Sequence, residues 1–400
     1  MTSHTDSQDD PSRARVILLV LGILLIATTL RAPITGVAPV LGLIREGLGL
    51  GPGAAGTLTT LPLLAFALAS PFAVLIGREY GLERSLFAAV VLVFLGILLR
   101  SLGPVWSLFL GTGIIGIGIA LANVLLPSLL KRDFPDSIVA LTSAYALAAG
   151  VAGASVSALA VPIATLPGGG WALALGAVAV LPLLSALVWL PQLAARTAPG
   201  PETATPPHGG KVWHSALAWQ VTLFFGLNSL VFYVVMTWLP AILTDAGYSE
   251  AAAGSTHGLM QLATAVPGLF FGLLVRRLAD QRGLAIALTG LMAVSLLGLV
   301  VMPGAAVLWS VVFGVAVGAV FILGLTFISL RSANMHQAAA LSGMVQCAGY
   351  LIAAAAPPSI GALHDRLGGW SLPLLLCVAI CLIMAVLGGF AGRAVQISAE

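Results

Sequence analysis

The sequence contains few charged residues, too few to cover the surface of a soluble domain. Of its 400 residues only 8% are charged, whereas 59% are hydrophobic and the mean hydropathy is +1.08. Soluble globular domains carry about 25% charged residues. This composition excludes an ordinary soluble domain and predicts a protein that crosses a membrane several times.

Cysteine is also scarce, and all three cysteines fall in apolar runs: Cys347, Cys377 and Cys381. Their positions give no disulfide framework and no metal-ligand spacing. No nucleophile paired with a base is visible either. We therefore expect no metal, no cofactor and no enzymatic activity.

Acidic residues are missing from the predicted helix interiors. All 14 lie in the termini or in predicted loops: Asp6, Asp9, Asp10, Glu46, Glu79, Glu83, Asp133, Asp136, Glu202, Asp245, Glu250, Asp280, Asp365 and Glu400. The proton relay of carboxylates that many pumps use is therefore absent. This favours uniport, exchange, or proton coupling through the substrate itself.

One charge does lie inside an apolar run. Arg31, in the segment ATTLRAPITGVAP (27–39), is about midway along roughly 30 apolar residues, and a charge at the bilayer centre costs at least about 2.5–3.5 kcal/mol. Since no helix interior offers a carboxylate, we expect Arg31 to attract an anion into a cavity, because its planar donor fork suits carboxylates and small oxyanions. The alternative is that Arg31 bonds backbone carbonyls or amides and holds helices together.

Apolar windows of membrane-spanning length predict an all-α membrane protein with twelve transmembrane helices. They lie at 16–43, 55–77, 85–102, 106–130, 138–162, 171–193, 215–244, 252–275, 284–302, 306–330, 339–362 and 370–392. The Pro- and Gly-rich segment 194–214 between the sixth and seventh windows is predicted to be a linker. The domains are then a cytoplasmic tail (1–15), a six-helix bundle (16–193), a cytoplasmic linker (194–214) and a second six-helix bundle (215–393).

The two halves repeat each other. Short matches recur in order at separations of 198 to 203 residues: Pro39 and Pro240, 54–56 and 252–254, 81–82 and 283–284, 106–107 and 309–310, 140–141 and 340–341, and 169–171 and 368–370. Two pseudo-symmetric bundles of this kind are typical of transporters whose substrate site lies near the membrane midplane, between the halves.

Basic residues predict the orientation. With both termini cytoplasmic, thirteen face the cytoplasm: Arg13, Arg15, Arg78, Arg84, Lys131, Arg132, Arg196, Lys211, Arg276, Arg277, Arg282, Arg331 and Arg393. Three face the other side: Arg45, Arg100 and Arg366. This asymmetry predicts cytoplasmic termini and explains the pI near 9.0 without nucleic acid as a partner.

Polar residues at the depth of Arg31 in other helices are the candidate substrate-binding residues. They are Thr35, Asn123, Tyr145, Asn228, Tyr233, Trp238, His257, Gln261, Gln346 and Tyr350. Each could instead bond neighbouring helices. His257, the one histidine well inside a predicted helix, could also couple transport to protons, although a neutral packing histidine is the more common case.

Three segments resemble the cyanate/nitroimidazole permease branch of the major facilitator superfamily: LRAPITGVAPVL (30–41), GIALANVLLPSLLKRDFP (118–135) and FFGLNSLVFYVVMTWLPAIL (224–243). The resemblance to the superfamily covers nearly the whole chain. It implies a monomeric, multi-pass transporter of small molecules, such as cyanate or nitroimidazoles, in a bacterial inner (plasma) membrane.

A loop between the eighth and ninth predicted helices, 278–283, resembles the superfamily's cytoplasmic loop motif. The counterpart in the first half, 77–84, lacks the usual Asp, so Glu79 or Glu83 would replace it. The resemblance implies a gating role for Arg78, Glu79, Glu83, Arg84, Asp280 and Arg282.

The sequence thus favours a carrier of a small monovalent, cyanate-like anion that works by alternating access around Arg31. The alternative is an exporter of neutral nitroimidazole or drug-like compounds, with Tyr233, Trp238 and Tyr350 stacking on the ligand. A polytopic membrane sensor without transport would need a soluble signalling domain, which the sequence does not indicate.

Overall fold

In a bilayer, backbone polar groups must be satisfied within each segment, so the apolar windows are expected to be helical. The computed structural model describes residues 11–134, 137–194, 212–271, 275, 278–333 and 335–397. Within these residues the protein has helices and no strand, which confirms the all-α fold.

Among the described residues of the first half there are eight α-helices: α1 (Pro11–Thr35), α2 (Leu41–Leu48), α3 (Pro52–Tyr80), α4 (Leu82–Arg100), α5 (Val105–Asp133), α6 (Ile138–Ala164), α7 (Trp171–Ala177) and α8 (Val180–Trp189). The described part of the second half contains α9 (Ala216–Asp245), α10 (Glu250–Ala263), α11 (Arg282–Val301), α12 (Ala306–Leu330), α13 (Met335–Ala354), α14 (Ala356–Leu367) and α15 (Ser371–Ala391). Short 3-10 helices lie at Ala38–Val40, Leu190–Ala194, Val212–His214, Val266–Leu269 and Pro303–Ala305.

Ten helical segments of the described chain are long and apolar enough to cross a membrane, and α3 adds a shorter apolar stretch, Gly53–Ala69. The predicted span 252–275 covers most of α10 and the 3-10 helix Val266–Leu269. Residues 272–274 of this span lie outside the described residues. Most of the predicted linker, 195–211, also lies outside the described residues.

Of the predicted spans that the structure describes throughout, three are broken rather than continuous, and proline explains each break. The span 16–43 divides after Thr35 because Pro39 has no N–H for the Thr35 carbonyl. The span 171–193 divides before Val180, where Pro182 cannot donate to the Val178 carbonyl.

The third break separates α13 from α14 within the predicted span 339–362. Pro357 and Pro358 lie in the first turn of α14, where their missing N–H groups leave carbonyls of the preceding turn without helical partners. Such breaks are tolerated in membrane proteins when neighbouring helices satisfy the released groups.

The prediction that every acid lies in a loop or a terminus was wrong in detail. Seven acids of the described residues lie in helices, and one of them, Glu83, is buried: Glu46, Glu79, Glu83, Asp133, Asp245, Glu250 and Asp365. The helices are longer than the apolar windows, because polar residues continue their terminal turns.

The helices run alternately between two ends of the molecule. We call the end that carries the start of α1, the start of α9 and the end of α15 the terminal end, and the opposite end the distal end. One buried apolar cluster lies within the first half, for example at Ile26, Val93 and Leu126. The core of the second half continues into the distal part of the first half, at Ile44 and Leu58, so the two halves are packed together there.

Candidate functional site

Arg31 lies near the end of α1 and its hydrogen-bond partner comes from the other half of the chain. Its Nη1 donates to Oγ1 of Thr264 at 2.8 Å, and that hydroxyl donates to the backbone carbonyl of Gln261 at 2.7 Å. The partner of the buried guanidinium is therefore a neutral hydroxyl that follows α10. A neutral hydroxyl does not neutralise the charge of the guanidinium. The guanidinium also has further N–H donors that can bind a ligand.

Thr35, one turn beyond Arg31, fixes the helix rather than facing the other half. Its Oγ1 lies 3.1 Å from the carbonyl of Gly153 in α6 and 3.2 Å from the carbonyl of Arg31. A Cβ at Gly153 would lie 3.3 Å from Thr35 Oγ1 and 3.5 Å from Arg31 Cβ. The small residue lets α6 support α1 directly behind Arg31.

Two tyrosines of the second half face Arg31. Tyr233 of α9 and Tyr350 of α13 both lie near its guanidinium. The ring of Tyr350 also packs against Phe66 of α3 and Phe225 of α9, with centroid distances of 6.0 and 5.9 Å. Two phenols of the second half thus lie near the charge, and a phenyl ring from each half packs on one of them.

Two buried amides of the second half have oxygen atoms without a hydrogen-bond partner among the described residues. Oδ1 of Asn228 and Oε1 of Gln261 make no bond, although both residues are only 1% exposed. Buried polar atoms are nearly always satisfied. These two acceptors are therefore candidates to bond a donor on a ligand.

His257 belongs to the distal end rather than to the Arg31 cluster. Its Nδ1 lies 2.7 Å from Oγ of Ser157 in α6, and this serine also donates to the carbonyl of Gly254 at 3.1 Å. The backbone of Met236 lies near the ring, and Nε2 makes no well-formed hydrogen bond. The contact joins α10 of the second half to α6 of the first.

Further contacts between the halves lie at the same end. Oγ1 of Thr237 donates to Oγ1 of Thr59 at 3.1 Å, and Oγ1 of Thr60 donates to the carbonyl of Ala354 at 2.9 Å. The helices also touch directly, since a Cβ at Gly258 would lie 2.6 Å from the carbonyl oxygen of Ala154. Glycine is required here because any side chain would separate α10 from α6.

The other predicted binding residues are not joined to Arg31 by any described contact. Asn123 and Gln346 are exposed, and the Gln346 amide donates to Ser342 of its own helix at 3.0 Å. Tyr145 is half-buried and packs on the core of the first half.

Trp238 was expected to stack on the ligand, but the structure places it in the core of the second half. It is 1% exposed, packs on Trp370 at 5.4 Å and donates from Nε1 to the carbonyl of Pro357 at 2.9 Å. Together with Arg45 it lines a cleft of about 90 Å³ at the distal end.

The predicted gating residues lie at the terminal end, and their described contacts stay within one half. Glu83, 3% exposed, accepts from Nη2 of Arg132 at 2.6 Å, and its backbone carbonyl accepts from Nε1 of Trp189 at 3.0 Å. Hydrogen bonds to Asp133 and then to Glu83 raise the pKa of Arg132 above its ordinary value, against the effect of burial. This contact, Arg132 with Glu83, is called the first clasp below.

The second half has an equivalent contact without a carboxylate. Arg331, which lies 199 positions after Arg132, donates to Oε1 of Gln281 and from Nε to the carbonyl of Ala391 at 2.8 Å. Burial lowers its pKa, and the charge of Asp280 opposes that effect. We call this the second clasp.

The remaining gating residues lie nearby. Asp280 and Arg282 form an exposed ion pair at 3.7 Å, and Glu79 and Arg84 are exposed. The side chain of Arg78 lies outside the described residues.

The sequence did not identify Thr264, Phe66 or Phe225 as site residues, and it used Arg100 only as a marker of the non-cytoplasmic side. Thr264 carries a recognisable signal, because it is a polar residue three positions after Gln261. The aromatic residues carry none, since phenylalanine is common throughout such helices. Among the described residues, no cluster of His, Cys, Asp or Glu could hold a metal ion.

Comparisons with known proteins agree with this architecture. A sequence model of the Major Facilitator Superfamily matches residues 19–357. The 2-nitroimidazole transporter of Escherichia coli (strain K12) is 53% identical over 377 residues, which cover 94% of this chain and 96% of that protein. The cyanate transport protein CynX of the same organism is 28% identical over 377 residues, which cover 91% and 96%.

A solved structure has the same fold at low sequence identity. The bacterial homologue of the human lysosomal transporter Spinster, in an inward-facing and unoccupied conformation, superimposes with a TM-score of 0.81. The match covers 98% of this chain and 100% of that one at 16% identity.

Proposed function

The chain belongs to the Major Facilitator Superfamily, and we propose that this membrane transporter carries small neutral nitro-heteroaromatic molecules past Arg31 by alternating access. The sequence first favoured a cyanate-like anion. The relative with 53% identity over nearly the whole chain is a 2-nitroimidazole transporter, which favours the alternative.

The observation that carries the proposal is the combination of one guanidinium with aromatic rings at the interface of the halves. Arg31 bonds a neutral hydroxyl and lies near Tyr233 and Tyr350, and the ring of Tyr350 packs on Phe66 of the first half. A nitro group presents two coplanar oxygen acceptors, which match the planar donor fork of arginine without a full negative charge. The flat ring of such a ligand suits the aromatic surface.

The unpartnered amide oxygens extend this proposal to the rest of the ligand. An imidazole ring carries an N–H donor, and Oδ1 of Asn228 and Oε1 of Gln261 are buried acceptors in the second half. A ligand held by Arg31 of the first half and by these acceptors would bond both halves at once. Such bonding is what a site between two moving bundles requires.

The contacts between the halves support a state that is closed at the distal end. Among the described residues, every side-chain hydrogen bond between the halves involves either the Arg31–Thr264 pair or distal residues. With both termini cytoplasmic, as the basic residues predict, this is an inward-facing state in a bacterial inner membrane. We further expect a monomer, with protons as the candidate coupling ion.

Transport of a small anion is the second candidate. It is favoured by the absence of a carboxylate partner for Arg31 in the described structure and by the relative that transports cyanate. The two candidates differ in the charge and the shape of the ligand.

The test is ligand binding to the purified protein by thermal shift and calorimetry. The ligands are 2-nitroimidazole, imidazole as the control without a nitro group, and cyanate. A ligand that binds only the folded protein raises the melting temperature with concentration. We expect 2-nitroimidazole to bind, and imidazole and cyanate to give no shift at the same concentrations.

Arg31 variants test the site itself. Bonds to a charged group contribute about 1.5–3 kcal/mol, so Arg31→Gln is expected to weaken 2-nitroimidazole binding at least about tenfold. Arg31→Lys should weaken it too, because a point charge replaces the fork. Arg366→Gln, which changes an exposed arginine, is the matched control. A shift with cyanate alone, lost in Arg31→Gln, would establish the anion carrier instead, and wild-type affinity in Arg31→Gln would exclude Arg31 as a ligand-binding residue.

A further inference from the structure

Arg100, the last residue of α4, is a second buried arginine close to the break in the first membrane span. The sequence placed it near the end of the predicted span 85–102, on the non-cytoplasmic side, and the structure shows that it is only 1% exposed. Its Nη1 donates to the backbone carbonyl of Pro33 at 2.6 Å. Pro33 lies two residues after Arg31.

The Pro33 carbonyl needs an outside donor because α1 ends there. A continuing helix would bond this carbonyl to the N–H of Val37, but that N–H bonds the carbonyl of Ile34 instead. The last carbonyls of a helix have no intrahelical partner, and a cation placed near them interacts favourably with the helix dipole. Arg100 therefore caps the end of α1.

The backbone that carries Arg100 is tightly held. A Cβ at Gly111 of α5 would lie 2.5 Å from the backbone nitrogen of Arg100, so α4 and α5 are in direct contact at this point. The bond to Pro33 thus joins the broken helix to a rigid helix pair.

A cap alone does not account for an arginine at this position. Its Nε and Nη2 atoms are buried without a partner, and burying a charge costs energy unless it is paired and fully bonded. The long charged side chain is therefore retained for what it holds in place.

We propose that Arg100 is a positioning residue for Arg31: by bonding the Pro33 carbonyl, it fixes the break in the first span and thereby the direction in which Arg31 faces the second half. Thr35 and Gly153 support α1 from α6, and Arg100 supports it from α4. Ligand binding through Arg31 is part of the proposed function, so the effect of Arg100 on ligand affinity rests on that proposal. The effect of Arg100 on the helix break is independent of it.

The first experiment measures affinity for 2-nitroimidazole in a double-mutant cycle. Arg100→Gln should weaken binding about tenfold, comparable with a lost charge-assisted bond. If Arg100 acts through Arg31, the double variant with Arg31→Gln should bind no more than about twofold worse than Arg31→Gln alone, because coupled residues are not additive. Additive losses would overturn the proposal.

Two further variants separate positioning from general destabilisation. Arg331→Gln is the matched control, since Arg331 is also buried and also donates to a backbone carbonyl, in the second half. It should lower stability and leave affinity within about twofold. Arg100→Lys can still donate to Pro33 and should restore most of the affinity that Arg100→Gln loses.

The second experiment needs no ligand. Spin labels at Ile17 and Gly42, both exposed and on opposite sides of the break, would be about 35–40 Å apart by helical rise. In a Cys347→Ser background, Arg100→Gln should shift or broaden the distance distribution, whereas Arg331→Gln should not. An unchanged distribution in Arg100→Gln would overturn the positioning role.

The two experiments distinguish the possible failures. Wild-type affinity in Arg31→Gln would remove the proposed binding role of Arg31, whereas the spin-label distances decide independently whether Arg100 holds the helix break. Where Arg100→Gln does not fold, Arg100→Lys decides: we expect a wild-type distribution and near wild-type affinity, and a tenfold loss of affinity with an unchanged distribution would contradict the proposal.

Discussion

The two ends of the molecule are held together in different ways. At the distal end, neutral groups join one half to the other, as in the bonds Ser157–His257 and Thr59–Thr237. At the terminal end the described charges are used inside each half, as in the first clasp and the second clasp.

The difference indicates how the molecule can move. Single neutral hydrogen bonds contribute only about 0.5–1.5 kcal/mol each, so the distal contacts can form and break during a cycle. Bonds of a charged group to a buried partner are stronger, so each clasp keeps its own half rigid. Two rigid halves with one weakly joined end are what alternating access requires.

The largest expected effect comes from separating the halves at the distal end. Gly258→Leu places a side chain where a Cβ already approaches the Ala154 carbonyl to 2.6 Å. Overpacking typically costs about 1–3 kcal/mol, so opening of the distal end should become about tenfold more frequent. The readout is the alkylation rate of Ala38→Cys, a buried position beside the distal cleft, in a Cys347→Ser background.

The matched control for that experiment is Gly290→Leu in α11, because a Cβ at Gly290 meets no atom within 4 Å. Equal alkylation rates in the two variants would show that the close contact of α10 with α6 does not keep the distal end closed.

The next effect concerns the clasps. Glu83→Gln keeps the shape of the side chain but removes the charge that Arg132 contacts at 2.6 Å. Since Arg132 is 27% exposed, part of the interaction is screened by solvent, and we expect a loss of about 1–2 kcal/mol, read as a lower melting temperature.

The second clasp provides the comparison. Gln281→Glu creates a carboxylate beside Arg331, and because desolvation offsets most of the gain, the free energy of unfolding should change by less than about 1 kcal/mol. Should Glu83→Gln be as stable as the wild type, the charged clasp would not be what makes the first half rigid.

The smallest effect is expected for a single distal bond. Ser157→Ala removes the hydroxyl that contacts His257 and Gly254, which should raise the Ala38→Cys alkylation rate about two- to tenfold. Thr222→Val is the control, because this buried hydroxyl bonds only the Ala218 carbonyl of its own helix among the described atoms. Similar rates in both variants would assign no gating role to the serine.

Much of the fold could be predicted from the sequence, because long apolar runs indicate membrane helices. The breaks could not be placed from hydropathy, since Pro39, Pro182 and Pro358 interrupt backbone bonds without lowering the apolar character of the run. The ends of helices were also too short in the prediction, because buried polar groups such as Glu83 continue the helix when a neighbour pairs with them.

The site was only partly predictable. Arg31 is identifiable because a charge inside an apolar run is costly. Its partner Thr264 and the surrounding rings depend on which faces of distant helices meet, which composition does not record. The burial of Arg100 could not be predicted, because a position at the end of a span looks the same in sequence whether the side chain turns outward or inward.

The bond from Thr60 to Ala354 links the distal closure to water. Pro358 has no N–H for the Ala354 carbonyl, and among the described residues Thr60 of the other half supplies the donor instead. When the halves separate at this end, that carbonyl must be hydrated, because an unbonded carbonyl in an apolar setting is costly. The distal pathway therefore opens and fills with water in one event. Water then replaces the Thr60 hydroxyl as the hydrogen-bond donor to the Ala354 carbonyl.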